Sequence, residues 1–184
     1  MNNIIGNQQE FKDLVNCLKG GLDPSVVVIL PPSVDERMTL KDGQNIPQIS
    51  IELQNLFEEL QPLTLNLMKK KDGTILFLYR SQIYIGNGHA YNPVQTQARL
   101  SLMLSLAKEL AALNINVFGV VLAMDSNNLQ QKQLIKEKLL DVVTLKYRAY
   151  SVEEQYEMIQ GLLHNAKTLR GQSVSLGNPL PIYR

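Results

Sequence analysis

The chain has 184 residues, of which 45% are hydrophobic and 19% charged, proportions typical of a globular protein and not of a disordered one. Its 18 basic and 17 acidic residues give a formal net charge of +1, which argues against binding to nucleic acid or to an anionic membrane surface. The single cysteine excludes an internal disulfide, and no apolar run approaches the roughly 20 residues that span a bilayer, so we expect a cytoplasmic protein outside the membrane.

The first third of the chain predicts two helices and a strand. Apolar residues at helical spacing predict a short helix over Glu10–Leu18, which a glycine pair ends. The most β-branched run of the chain, Ser25–Leu30, predicts a buried strand that two prolines end. A polar loop then leads to a longer amphipathic helix over Pro47–Met68, which Pro62 is expected to kink or divide.

The centre of the chain predicts a strand, a crossover helix and a second, parallel strand. The runs Thr74–Tyr79 and Ile115–Leu122 are apolar without alternation, as in strands that are covered on both faces. Between them lies a helix over Pro93–Leu113 that is apolar on nearly every side. Such a helix should be buried on more than one face, most simply in a dimer. One side of it carries six apolar residues: Val94, Ala98, Leu102, Leu106, Leu110 and Leu113.

The last third of the chain predicts a capped helix and a closing strand. Residues Asp125–Lys138 are polar and helix-prone, and Leu139–Leu145 is compatible with a strand or with a continuing helix. Ser151, followed three residues later by Glu154, is the pattern of a capping box at the start of a helix. That helix should bury Val152, Tyr156, Ile159, Leu162 and Leu163. The segment Leu169–Leu176 predicts the closing strand.

This order of elements, together with several short motifs, resembles the second half of a short-chain dehydrogenase/reductase (SDR). In that family a strand beginning G-x-I is followed by a Tyr-x-x-x-Lys motif, a long helix ending near A-x-E-L, and a strand of the type G-I-x-V-N. The corresponding residues here are Gly73-Thr74-Ile75, Tyr91, Ala107-Lys108-Glu109-Leu110 and Ile115-Asn116-Val117. The capped helix at Ser151 and residues 171–177 match the family's last helix and strand.

The resemblance implies an α/β fold, namely a partial Rossmann-like three-layer sandwich with a mostly parallel sheet of about four strands and helices on both faces. It covers nearly the whole chain as one truncated SDR-like domain, residues 1–184, and leaves no room for the family's first three strands. The Ser25–Leu30 strand should therefore have an open edge, which the Glu10–Leu18 helix, a second copy or another protein must cover.

The resemblance also assigns candidate catalytic residues. Tyr91 stands in the place of the family's tyrosine and Ser81 near that of its serine, where strict spacing from Gly73 assigns Arg80 instead. In the family a lysine four residues after the tyrosine lowers the pKa of that tyrosine, and a tyrosine near its ordinary pKa is a poor acid at neutral pH. The residue in the lysine's place here is the neutral Gln95.

The cofactor site of the family is replaced at three places. No glycine-rich turn follows a first strand, where backbone amides would hold a pyrophosphate. The family's Asn-Asn-Ala-Gly is replaced by Leu30-Pro31-Pro32-Ser33, and its Pro-Gly by Ala123-Met124-Asp125. We therefore expect no bound NAD(P), and no metal because His89 and His164 are isolated from other ligands.

These observations favour a non-catalytic SDR-like protein that acts as a dimerising structural or partner subunit. It would form a homodimer through helices 47–68 and 93–113, as the family does, or a heteromer with a full-length SDR. The alternative is a divergent NAD(P)-dependent oxidoreductase that uses Tyr91 and Ser81 and obtains its nucleotide-binding half from another chain. A third candidate is a small-ligand binding module that uses the Ser81–Tyr91 loop at the end of a strand.

Overall fold

A computed structural model describes residues 3–32, 46–80, 93–127 and 149–177 of the chain. Within these ranges, five strands form one parallel sheet in the order β1-β2-β3-β4-β5. The strands are β1 (Ile4–Ile5), β2 (Val26–Ile29), β3 (Gly73–Arg80), β4 (Ile115–Leu122) and β5 (Ser173–Ser175). The helices are α1 (Lys12–Gly21), α2 (Ile46–Lys70), α3 (Pro93–Glu109) and α4 (Val152–His164). The predicted Rossmann-like α/β class is confirmed, with five strands in place of about four.

Helices cover both faces of the sheet, as predicted, and each face has its own apolar core. On β3, Ile75, Phe77 and Tyr79 belong to the core beneath α2 and α3. The alternating residues Leu76 and Leu78 belong to the core beneath α1 and α4. Successive side chains of a strand point to opposite faces, so a strand that is covered on both faces must be apolar at every position. This explains why β3 and β4 are apolar without alternation.

The predicted open edge of β2 is covered by the chain itself, through the strand β1 that the sequence did not reveal. The amides of Val28 and Leu30 donate to the carbonyl oxygens of Asn3 and Ile5 at 2.8 and 2.9 Å. Ile4 is buried in the α1/α4 core and Ile5 in the α2/α3 core. The Glu10–Leu18 helix, one of the three expected covers, does not close this edge, because α1 packs on a face of the sheet instead. A two-residue strand is too short for a periodic pattern to predict it.

The buried side of α3 overlaps only in part with the apolar side that the sequence indicated, of which Leu110, just after the helix, is buried. The buried positions of this helix recur every four residues: Gln95, Arg99, Met103 and Ala107. The predicted Leu102 and Leu106 are half-buried beside this stripe. With apolar residues on nearly every side, the periodic signal carried little information about orientation. The side that faces the sheet combines two core residues, Met103 and Ala107, with two polar side chains whose hydrogen bonds are described below.

The remaining predictions are confirmed in part. The helix α2 continues through Pro62, which does not divide it. The capping box of α4 is present: the Glu154 amide donates to Ser151 Oγ at 3.2 Å, and the Ser151 amide donates to the Glu154 carboxylate at 2.8 Å. The strand β5 is shorter than the predicted Leu169–Leu176, because the residues before it form turns. Most of the predicted segments 125–138 and 139–145 lies outside the described residues, and the single-domain assignment stays a prediction.

Candidate functional site

The carboxyl ends of the parallel strands form the edge at which open α/β sheets bind their ligands. Here that edge is formed by Leu30 after β2, Arg80 at the end of β3 and Ala123 after β4. The two predicted catalytic residues, Tyr91 and Ser81, lie outside the described residues. The polar side chains that the structure describes here are Arg80 and Arg99, together with Gln95 and Glu52.

A buried arginine ties α3 to the end of β2. Pro31 and Pro32 follow the strand and have no amide hydrogen, so neither can donate a backbone hydrogen bond to a neighbouring strand. The carbonyl of the fully buried Leu30 instead accepts a hydrogen bond from Arg99 Nη1 at 2.8 Å. Hydrogen bonds that involve a charged group contribute about 1.5–3 kcal/mol. Arg99 thereby fixes the first half of α3 against the strand end.

One turn before Arg99, Gln95 connects α3 to α2. Its Nε2 donates to the carboxylate of Glu52 at 2.8 Å. Burial lowers the pKa of Arg99, while Glu52 and Tyr79 oppose that shift electrostatically. The guanidinium stays charged, because the pKa of arginine starts far above neutrality. The edge therefore contains a buried cation, with a half-buried carboxylate close enough to influence it.

Arg80 engages the neighbouring part of the edge, in the position that strict spacing assigns to the family's serine. Its guanidinium forms an ion pair with Glu10 and donates to the Pro32 carbonyl at 3.3 Å. The guanidinium carbon also lies 5.1 Å from the centre of the Phe11 ring. These contacts tie the segment after β1 to the ends of β2 and β3.

The end of β4, where the family has Pro-Gly, is paired with the segment that precedes α4. The Tyr150 amide donates to the Met124 carbonyl at 3.1 Å, and the Ser126 amide donates to the Tyr150 carbonyl at 3.0 Å. Met124 is buried. The main chain at this point is therefore engaged within the fold.

The described part of this edge offers hydrogen-bond donors and a buried cation. No group of three or more His, Cys, Asp or Glu side chains among the described residues is placed to hold a metal. In the same ranges, no helix is both long enough and apolar enough to cross a bilayer. Sequence analysis missed Arg99 and Glu52 as site residues. The one available signal was the four-residue spacing of Arg99 from Gln95, which places both on one side of a helix.

Comparison with known proteins supports the fold and leaves the activity open. No family model matches the chain, and no curated protein matches it either. Among solved structures, the crystal structure of gox2181 is similar, with a TM-score of 0.62 and 20% sequence identity over 92% of this chain and 70% of that chain. At that identity the similarity shows the fold alone. With the parallel sheet, it supports the Rossmann-like α/β architecture that the sequence predicted.

Proposed function

We propose that this chain is a non-catalytic, SDR-like subunit that acts structurally, by forming a homodimer through α2 and α3. The observation that carries the proposal is where the exposed large apolar side chains lie. Within the described residues, all of them are on these two helices: Ile51, Phe57, Leu65 and Met68 on α2, and Leu104 on α3.

The apolar residues of α2 form a surface and are not scattered. Phe57, Leu65 and Met68 lie at i, i+8 and i+11, a spacing that places them along one side of a helix. They are 53%, 49% and 37% exposed, whereas Leu56 and Leu60 on the sheet side are each 3% exposed. Because α2 carries one apolar stripe toward the sheet and a second toward solvent, the second stripe is available for an interface.

A second copy of the chain is the occupant that fits this surface best. The helices α2 and α3 pack on the same face of the sheet, so their outer sides can meet the same surface of another copy around a two-fold axis. The net charge of +1 gives little repulsion between copies. The resemblance to SDR proteins, whose dimers use the corresponding helices, supports the same arrangement.

The state of the described site residues supports a non-catalytic role over the oxidoreductase alternative. Gln95, in place of the lysine, is neutral and is bonded to Glu52. Arg80 is held by Glu10 and Pro32. An NAD(P)-dependent enzyme using Tyr91 and Ser81 would need a cation to lower the pKa of that tyrosine and a nucleotide site, and the residues that supply both in the family are replaced here.

Sedimentation equilibrium on the wild type and on Phe57→Glu tests the dimer. We expect a wild-type dimer and a folded Phe57→Glu monomer, because burying a carboxylate in an apolar interface is costly. Asn16→Glu is the matched control, since it adds the same charge at an exposed position of α1 in the other layer and should stay dimeric. A monomeric wild type, or a Phe57→Glu variant that remains dimeric, would contradict the proposal.

Calorimetric titration with NADH and NADPH tests the non-catalytic part. We expect no saturable heat up to about 1 mM, a concentration that would detect even weak binding. Saturable binding would favour the oxidoreductase alternative, and Tyr91→Phe and Ser81→Ala would then be assayed for loss of turnover. A mixed complex with a full-length SDR would appear as a heavier species only after that protein is added.

A further inference from the structure

Arg99 is a buried cation whose charge is incompletely compensated by the described residues. Its side chain is directed at the end of β2, and the residue is 6% exposed. The Nη1 group donates to the Leu30 carbonyl, but Nε has no acceptor among the residues that the structure describes. Buried charges in proteins are normally paired and fully hydrogen-bonded, because an unpaired one is costly.

The nearby carboxylate of Glu52 does not supply the acceptor that Arg99 Nε lacks. Glu52 influences Arg99 electrostatically, yet the carboxylate accepts its hydrogen bond from Gln95, and the described residues show no ion pair between Arg99 and an acidic side chain. Burial lowers the pKa of Arg99 more than Glu52 raises it. The described residues therefore do not supply a directly paired negative charge for the Arg99 guanidinium.

Among the described residues, two other arginines have an Nε without a hydrogen-bond partner, and Arg99 differs from both. Arg80 is more exposed and has Glu10 as its counter-charge. Arg170 is half-buried, and its Nη2 donates to Asn116 at 2.7 Å at the amino end of β4, the edge opposite the ligand-binding one. Only Arg99 combines deep burial with a position at the carboxyl edge of the sheet, where open α/β folds bind ligands.

We infer that Arg99 is the anchor of a binding site for a small oxyanion, a carboxylate or a phosphate, at the carboxyl edge of the sheet beneath α3. The edge of a guanidinium that carries Nε matches two oxygens of such a group in a bidentate pair. Nη1 remains on the Leu30 carbonyl, so the arginine is held in place before the anion arrives. Glu52, by its negative charge, limits the affinity of the site. This inference does not depend on the dimer, because oligomeric state and anion binding are measured separately.

Calorimetric titration of the full chain with inorganic phosphate and, separately, with acetate tests this site, with ionic strength kept constant by chloride. We expect saturable heat with at least one anion below about 10 mM, and the anion that binds identifies the ligand as a phosphate or a carboxylate. Arg99→Lys keeps the charge and loses the bidentate fork, so it should weaken binding at least tenfold. Arg170→Lys is the matched control and should leave the dissociation constant within twofold of wild type.

A second variant keeps the test decisive if Arg99→Lys fails to fold. Glu52→Gln removes the opposing charge, retains an oxygen that accepts from Gln95, and should tighten anion binding several-fold. The inference is overturned if the wild type binds neither anion saturably. It is equally overturned if Arg99→Lys binds as tightly as wild type, or if Glu52→Gln leaves the affinity unchanged.

Discussion

The α1/α4 layer and the α2/α3 layer cover opposite faces of one sheet, but they differ in what they bury and what they expose. The α1/α4 layer buries an apolar set that includes Leu14, Leu18 and Ile159. Its described buried polar side chain, Gln155, donates to the carbonyl of Tyr150 beside its own helix. The α2/α3 layer buries the charged Arg99, whose side chain donates to the carbonyl at the end of β2. It also exposes an apolar stripe on α2.

The two layers differ in how well the packing of a surface helix explains their buried and exposed residues. The α1/α4 layer satisfies the usual rules for a surface helix, with an apolar side inward and a polar side outward. The α2/α3 layer breaks both rules, and departures of this kind are expected at functional sites. Both proposals, the dimer interface and the anion site, therefore concern the α2/α3 layer, whereas the α1/α4 layer has the features of packing alone.

The largest expected effect comes from deleting the same side chain in the two layers. Leu18→Ala in α1 removes a fully buried side chain and should lower the free energy of unfolding by about 2–5 kcal/mol, without changing the oligomeric state. Leu65→Ala in α2 removes one that is 49% exposed and should cost the monomer less than ~0.5 kcal/mol while weakening the dimer. Urea denaturation at low protein concentration, combined with sedimentation, measures both. Equal losses in the free energy of unfolding for the two monomeric variants would show that the outer side of α2 is covered within the chain and is not available for an interface.

A smaller effect, with opposite signs in the two layers, is expected from Gly→Ala substitution. At Gly119, beneath α3, an added Cβ would lie 2.8 Å from the Tyr79 ring and 2.9 Å from Met103 Sδ, so Gly119→Ala should destabilise by about 1–3 kcal/mol. At Gly161, within α4, nothing lies within 4 Å of the added atom, so Gly161→Ala should stabilise by about 0.4–1 kcal/mol. Thermal unfolding of both variants checks the signs. A stabilised Gly119→Ala would show that the packing beneath α3 is loose.

The smallest expected effect is a pH dependence at the turn between α1 and β2. The Ser25 hydroxyl and amide both donate to Asp23 Oδ1, at 2.6 and 2.7 Å, and these hydrogen bonds lower the pKa of Asp23. A carboxyl with a lowered pKa stabilises the fold above its unfolded-state pKa and loses that contribution as the pH falls through its folded-state pKa. The wild type should therefore exceed Asp23→Asn in urea midpoint at pH 7, and the difference should disappear toward acidic pH. A difference that persists when the carboxyl is protonated would assign the effect to something other than its charge.

The candidate site was less predictable from the sequence than the strands were. Gln95 was recognised as a neutral residue in the lysine's place, but its partner Glu52 is 43 residues away in the chain. Arg99 was not singled out, because its acceptor on Leu30 is 69 residues away and a main-chain carbonyl leaves no mark in a sequence. The predicted roles of Tyr91 and Ser81 stay predictions.

The sequence by itself determined the class of fold, the two-faced strands β3 and β4, and the capped start of α4. These features depend on neighbouring residues, through apolar runs and a Ser–Glu pair three positions apart, and local patterns report them directly. Only the tertiary structure decided that Ile4 and Ile5 close the edge of β2, which side of α3 faces the sheet, and that a buried arginine stands at the carboxyl edge. Each of these depends on hydrogen bonds between distant parts of the chain, and such bonds have no period from which a sequence can predict them.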